Sequence, residues 1–260
     1  MRKLFFVAIA LLSVLSLHAQ SPPYEKVLVP VYHVNPIQGA YGSIWDSHLW
    51  IRNEGTEQVT IRTTCFITCS PLPGIPLDPG QSITNPNLLQ GGTPLPRPGA
   101  FVLIAPGSQL RVKLHIRDRT RQSQTMGTEM PTVRHDEFLS GTSSLLPVPT
   151  DDRFRVMLRL YTRDQGSVAR FRVRIYALQD ASHGLPHVDL LLAETEVTGS
   201  TATGIDPGYA EIPALVQAFP AVAVRDLVRV DIQPLEPTSR YYAFITVTNN
   251  ETQHVTTVTP

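Results

Sequence analysis

Apolar and polar residues alternate with a period of two along most of the chain, which is typical of β-strands with one buried face. In one such segment Phe171, Val173 and Ile175 alternate with Arg172 and Arg174. The alternating segments are 27–33, 44–51, 59–63, 100–104, 110–116, 154–160, 171–175, 190–197, 228–232 and 242–247. Only 213–219 has a pattern compatible with a turn or two of helix. The sequence therefore predicts an all-β protein built from antiparallel sheets.

The chain contains an internal repeat, because segment 43–51 has the same spacing of large apolar residues as segment 152–160. A turn with glycine, Gly55 or Gly166, follows each segment and leads to a second strand, so a hairpin is predicted at each place. The length alone also allows one large sandwich, but an offset of about 109 residues is the size of one small β-sandwich and favours two tandem domains. The predicted domains are 20–138 and 139–260, joined near 135–140.

Proline and glycine are concentrated between Pro71 and Gly99. Within this excursion (71–99) the run Gln81-Ser-Ile-Thr is the only strand-like piece. One interpretation is a proline-stiffened excursion at the edge of the first sandwich, and the other is a binding loop.

The N-terminus has the layout of a secretory signal peptide: Arg2 and Lys3 precede an apolar run over 4–17, and Ala19 offers a cleavage site. The apolar run is short for a membrane span, although an uncleaved anchor is the alternative. We expect cleavage after residue 19 and a soluble periplasmic or extracellular protein. No second long apolar run follows, so stable membrane insertion of the mature chain is not expected.

The composition limits the partners. Hydrophobic residues make up 42% of the chain and charged residues 17%, which argues against disorder. Loss of Arg2 and Lys3 leaves 20 basic residues against 22 acidic ones. This balance argues against nucleic acid and against an anionic membrane. The expected partner is an unidentified protein or glycan.

Cys65 and Cys69 are the only cysteines. In a straight strand, residues four apart point to the same face about 13 Å from each other, which is beyond the reach of a disulfide. A bridge requires the strand to end or bulge near Ile67, which Pro71 would favour, and export would permit oxidation. The sequence alone does not decide whether Cys65 and Cys69 form a disulfide. Zinc is not expected, because no further Cys or His lies near enough in sequence.

Short motifs follow one another along the chain at 29–31, 42–53, 77–82, 110–131, 152–161 and 242–252. On these motifs the chain resembles a family of uncharacterised secreted proteins of environmental Gram-negative bacteria, built from tandem immunoglobulin-like β-sandwich repeats. The resemblance covers nearly the whole mature sequence. It implies export and an immunoglobulin-like fold for both domains, and it implies no catalytic or binding residues. The stretch from Pro71 to Pro98 is longer than the repeat requires.

Arginines line the polar side of two neighbouring strands in the second domain. They are Arg155, Arg159, Arg170, Arg172 and Arg174. If the two strands pair, five guanidinium groups share one sheet face that could bind the carboxylates or phosphates of an anionic polymer. The competing interpretation is a solvated face neutralised by Glu194 and Glu196, and the lack of interleaved aromatic residues favours it. A similar row in the first domain contains Arg111, Lys113, His115 and Arg117.

Other chemistry is weakly indicated. Asp180, His183, His187 and Asp189 have metal-binding residue types, but no standard ligand spacing is met, so we expect no metal and no cofactor. The sequence has no nucleophile elbow and no phosphate-binding glycine loop. We predict an exported, non-enzymatic structural, adhesive or interaction module of the bacterial envelope or exterior. The alternatives are a carbohydrate- or anionic-polymer-binding module that uses the arginine-rich faces, and a hydrolase with a site at the domain join.

Overall fold

The computed structural model describes residues 24–33, 35–62, 64–65, 74–84, 89–90, 99–178, 189–203, 206–223 and 225–260. In these residues the protein is all-β with several antiparallel sheets, as the alternating pattern predicts. The segment expected to hold a helical turn contains the short helix Leu215–Ala218. No helix in the described part of the chain is long and apolar enough to cross a membrane.

Some predictions fall outside the described residues. They concern the signal peptide 1–19, Cys69 and the side chain of Cys65, most of the stretch 85–98, and the loop with Asp180, His183 and His187. The signal peptide and the disulfide therefore stay predictions.

The first half of the chain (residues 24–138) forms two main sheets. Its strands are β1 (Glu25–Pro30), β2 (Ile37–Gln38), β3 (Ile44–Asn53), β4 (Val59–Arg62), β5 (Thr64–Cys65), β6 (Gly74–Leu77), β7 (Ser82–Thr84), β8 (Leu89–Gln90), β9 (Gly99–Ile104), β10 (Leu110–Asp118) and β11 (Thr128–Met130). Sheet 1 has the order β1-β9-β4-β6. Sheet 2 has the order β11-β10-β3-β2, and β7 also pairs with β3. Strands β5 and β8 form a separate parallel pair.

The second half (residues 139–260) forms two sheets of four strands each. Its strands are β12 (Ser143–Pro149), β13 (Phe154–Thr162), β14 (Val168–Ala177), β15 (Leu191–Thr201), β16 (Gly208–Ile212), β17 (Leu227–Pro234), β18 (Tyr241–Asn249) and β19 (Val255–Val258). Sheet 3 has the order β12-β17-β14-β15, and sheet 4 has the order β16-β13-β18-β19.

The two predicted hairpins are wrong, because each turn carries the chain from one sheet to another. Strand β3 pairs with β10, β2 and β7 in sheet 2, whereas β4 pairs with β6 and β9 in sheet 1. The buried Asn53 holds the first crossing, since its side-chain nitrogen donates to the carbonyls of Glu57 at 2.7 Å and Leu77 at 2.9 Å. In the same way, the turn at Gly166 carries the chain from β13 in sheet 4 to β14 in sheet 3.

The proline-rich stretch contains more strand than the sequence indicates. The predicted piece 81–84 contains β7, but β6 and β8 were not predicted. Strand β6 contains Pro76 and lies at the edge of sheet 1, where a residue without an N–H costs no ladder hydrogen bond. This part of the stretch therefore behaves as an edge excursion.

In each half the two sheets bury side chains against each other, which fits a β-sandwich. In the first half Leu28 and Phe101 of sheet 1 belong to one fully buried cluster with Leu49 and Leu114 of sheet 2. In the second half the inward residues of β14 and β17 join those of β13 and β18 in the same way. Complete burial of each such side chain contributes about 1.5–3 kcal/mol before entropy is counted.

The core of the first half also includes three residues from the second half. Tyr161, Phe244 and Val255 lie on the face of sheet 4 that points away from its own sandwich, and all three are buried in the first cluster. The rings of Tyr161 and Phe244 are parallel, with centroids 6.1 Å apart. Gly99 lies so close that a Cβ there would be 3.0 Å from a ring carbon of Tyr161. The outer face of sheet 4 is therefore an interior surface.

Candidate functional site

The five arginines predicted to share a face are divided between two sheets. Arg155 and Arg159 belong to β13 in sheet 4, and Arg170, Arg172 and Arg174 belong to β14 in sheet 3. The expectation of one five-arginine face is wrong, because β13 and β14 each pair with other strands.

On sheet 3 two of the arginines form ion pairs across to β15. Arg172 lies 2.8 Å from the carboxylate of Glu196, and Arg174 lies 2.5 Å from that of Glu194. The hydrogen bond from Arg174 lowers the pKa of Glu194, so the carboxylate stays charged. This face therefore matches the neutralised interpretation.

On sheet 4 the other two arginines lie at the join between the halves. The Arg155 guanidinium is 5.8 Å from the ring centroid of Tyr41 in the first half, and burial lowers its pKa. Arg159 donates to the hydroxyl of Thr246 at 2.5 Å. The nearby His33 of the first half has its pKa lowered to about 4, first by burial and then by the charge of Arg159. These arginines therefore lie against the first half rather than facing an external polymer.

Further hydrogen bonds cross the join. The side-chain amide of Gln122 donates to the carbonyl of Gln253 at 3.0 Å, and the Thr128 hydroxyl donates to the carbonyl of Val255 at 2.7 Å. The Lys26 ammonium group donates to the carbonyl of Arg163 at 3.1 Å. Aromatic packing and these hydrogen bonds together fix the two halves against each other.

The outer face of sheet 2 combines aromatic and charged residues, and we call it the Trp50 face. It consists of Asp46, His48, Trp50 and Arg52 on β3, Arg111, Lys113, His115 and Arg117 on β10, and Glu129 on β11. The antiparallel register places His48 opposite His115 and Trp50 opposite Lys113. Two side chains of the face are open to solvent, with exposures of 44% for Lys113 and 52% for Glu129.

Two imidazole rings hold the Trp50 indole in place. The His48 ring is stacked on it at a centroid distance of 5.8 Å, and the His115 ring meets it edge-on at 5.2 Å. Each imidazole lies near a carboxylate: His48 Nε2 donates to Asp46 at 3.1 Å, and His115 Nε2 is 3.7 Å from Glu129. The result is a half-buried indole between two histidine–carboxylate pairs.

The sequence places Trp50 on the polar side of its strand together with Asp46 and His48, and this was the available signal. Trp50 is therefore an aromatic residue at an outward position of an otherwise polar face. The row with His115 was also visible, but the pairing of β3 with β10 was not. Sequence reasoning therefore missed Trp50 as a site residue.

Two clefts lie at the end of the first half on either side of Tyr24. The larger, about 600 Å³, is lined by the loop 55–58 and the turn 105–109. The smaller, about 430 Å³, contains Arg134, which binds the Glu25 carboxylate at 2.7 Å. The cation of the smaller cleft, Arg134, is therefore already neutralised.

No cluster of three or more metal-ligating side chains occurs within the described residues. Asp189, the described member of the predicted metal-capable group, is bound by two nitrogens of Arg229 at 3.1 and 3.0 Å. The Asp189 carboxylate is therefore engaged in an ion pair with Arg229.

No protein-family model, curated protein or solved structure matches the chain.

Proposed function

We propose that the protein is an exported, non-enzymatic interaction module of the bacterial envelope or exterior, made of two tandem immunoglobulin-like β-sandwiches. The signal-peptide pattern of residues 1–19 supports export. The proposal assigns the protein the role of a rigid carrier that presents binding surfaces to a protein or glycan.

Corresponding strand orders support the tandem repeat. Sheet 1 (β1-β9-β4-β6) matches sheet 3 (β12-β17-β14-β15) strand for strand in chain order, and β11-β10-β3-β7 of sheet 2 matches β19-β18-β13-β16 of sheet 4. The turns after β10 and β18 also correspond, because in each a backbone N–H of glutamine closes the turn: Gln122 on Asp118, and Gln253 on Asn249.

The observation that carries the proposal is the shared core at the join. Domains in one chain usually move relative to each other unless their interface is large and apolar. Here Tyr161 and Phe244 of the second half are completely buried in the core of the first. A fixed relative orientation suits a structural or adhesive module, whose surfaces must keep their spacing.

The same join argues against the hydrolase alternative, since aromatic side chains occupy it. The arginine-platform alternative is also weakened, because Arg172 and Arg174 are paired with glutamates and Arg155 and Arg159 face the first half.

The proposal is tested by producing the full chain in a Gram-negative host with a C-terminal tag. N-terminal sequencing of the exported form should give Gln20 as the first residue. Fluorescently labelled mature protein should bind intact cells, isolated outer membranes or peptidoglycan sacculi in a saturable manner. Retention of the whole chain in the cytoplasm, an absence of envelope binding, or turnover of an ester, peptide or polysaccharide substrate would contradict the proposal.

A further inference from the structure

Sheets 2 and 4 have the same strand arrangement, but the outer face of one is covered and that of the other is exposed. Their registers match when Asn53–Leu110 is placed on Thr162–Tyr241. Lys113 then corresponds to Phe244, which is completely buried under the first half. The outer face of sheet 4 is thus covered, whereas the corresponding face of sheet 2 meets solvent.

Where the covered face has Met157, Tyr161, Tyr242 and Phe244, the Trp50 face has His48, Arg52, Arg111 and Lys113. These replacements fit a solvated end of a stack, where polar residues replace apolar ones. Trp50 does not fit, since it corresponds to Arg159 on the covered face and is itself aromatic on the exposed one. The stacked His48 ring and the edge-on His115 ring restrict the indole to one orientation. A restricted aromatic side chain loses little conformational entropy when a ligand binds.

We propose that the Trp50 face binds a neutral oligosaccharide. His48 covers one face of the Trp50 indole, so the sugar would stack on the other, since the negative face of an aromatic ring attracts the C–H groups of a pyranose. The carboxylates, the guanidinium groups and the Lys113 ammonium around Trp50 can accept from and donate to sugar hydroxyls. The row from Asp46 to Arg52 spans about 20 Å, since alternate strand residues lie about 6.6 Å apart. This is the length of an oligosaccharide rather than of a single sugar.

The charges of the face favour a neutral glycan over an anionic one. Lys113 is 3.1 Å from the Glu129 carboxylate, Arg111 is 2.9 Å from that of Glu54, and Arg117 is 3.8 Å from that of Asp46. An anionic polymer would have to compete with these carboxylates.

This inference rests on the proposed function and gives it a ligand class. The test is calorimetric titration of the mature protein with chitohexaose, cellohexaose, maltohexaose and xylohexaose, and with an oligogalacturonate as the acidic arm. We expect one of the neutral hexasaccharides to bind with little dependence on salt. Trp50→Ala should weaken that binding about tenfold or more, whereas Trp50→Phe should retain most of it. Arg174→Ala, on sheet 3, is the control and should bind like the wild type. Circular dichroism confirms that each variant is folded.

Binding of the acidic probe alone, binding of no probe, or equal affinity of the wild type and Trp50→Ala would overturn the glycan site. Envelope binding by labelled protein separates the two proposals. If the wild type binds the envelope but no neutral hexasaccharide, the glycan site fails and the interaction module stands. If the wild type does not bind the envelope, the proposed function fails.

Discussion

The side-chain amide of Gln122 donates a hydrogen bond to the backbone carbonyl of Gln253, with a nitrogen–oxygen distance of 3.0 Å. Both glutamines are buried, and each closes the turn that follows a long strand of its own sandwich. Two corresponding turns therefore meet at the join. The glutamines that close the turns after β10 and β18 also connect the two halves.

Replacement of Gln122 by Ala should lower the free energy of unfolding by about 1–3 kcal/mol, because the buried carbonyl of Gln253 loses its donor. Urea unfolding followed by circular dichroism measures the change. Gln124→Ala, two residues away at an exposed position, is the matched control. Equal losses in the two variants would show that the bond at the join contributes nothing specific.

His33 should make the protein less stable in mild acid. Its pKa falls from 6.5 to about 4 on folding, mainly through burial, so the folded state favours neutral imidazole. Above pH 6.5 the imidazole is neutral in the folded and unfolded states, and the stability is complete. As the pH falls towards 4, the unfolded state binds a proton that the folded state does not, so the free energy of unfolding falls by up to about 3 kcal/mol. In His33→Gln, which has no such titration, the loss of stability between pH 7 and pH 4 should be smaller than in the wild type. Parallel pH profiles for the two proteins would contradict this assignment.

Asp118 also makes the stability depend on pH, but through a carboxylate that is charged in the folded state, whereas His33 is neutral there. Burial alone would raise its pKa, but hydrogen bonds from Thr120, from the Ile44 N–H and from Arg121 lower it overall. Its stabilisation is therefore present above the unfolded pKa of about 3.9 and disappears as the pH falls through the lower folded value. Asp118→Asn should cost about 1.5–3 kcal/mol at neutral pH, and the difference from the wild type should shrink in strong acid. A difference that is independent of pH would contradict the charged state.

Alternation identified the strands, but it did not identify their partners. The pattern Arg172–Val173–Arg174 specifies a half-buried strand whichever neighbour it pairs with. The crossing between β3 and β4 depends on side-chain bonds from Asn53 to residues up to 24 positions away, and no local pattern encodes these. The same limit hid the contact of His115 with Trp50.

One signal for the join was present in the sequence. Segment 241–247 carries large apolar residues on both faces, with Phe244 opposite in direction to Tyr241 and Ile245. A strand that is apolar on both sides is covered on both sides. This pattern indicates a buried outer face, although it does not identify the surface that covers it.

Gly99 tests how tightly the halves fit. A Cβ at this position would lie 3.0 Å from a ring carbon of Tyr161 and 3.3 Å from backbone atoms of Val29 and Pro30. Gly99→Ala should therefore destabilise the protein by about 1–3 kcal/mol through overpacking, measured as a lower urea midpoint. An unchanged or higher midpoint would mean that the join can accommodate the extra methyl group without strain.

The most direct test of the shared core is Phe244→Ala followed by two probes of urea unfolding. Both tryptophans, Trp45 and Trp50, lie in the first half, so their fluorescence reports on that half, whereas circular dichroism reports on the whole chain. Phe244 belongs to the second half but is buried in the core of the first. We expect the substitution to lower the free energy of unfolding by about 3–5 kcal/mol, to shift the fluorescence transition, and to leave the two transitions coincident. An unshifted fluorescence transition, with a separate transition by circular dichroism, would contradict the account of one rigid body.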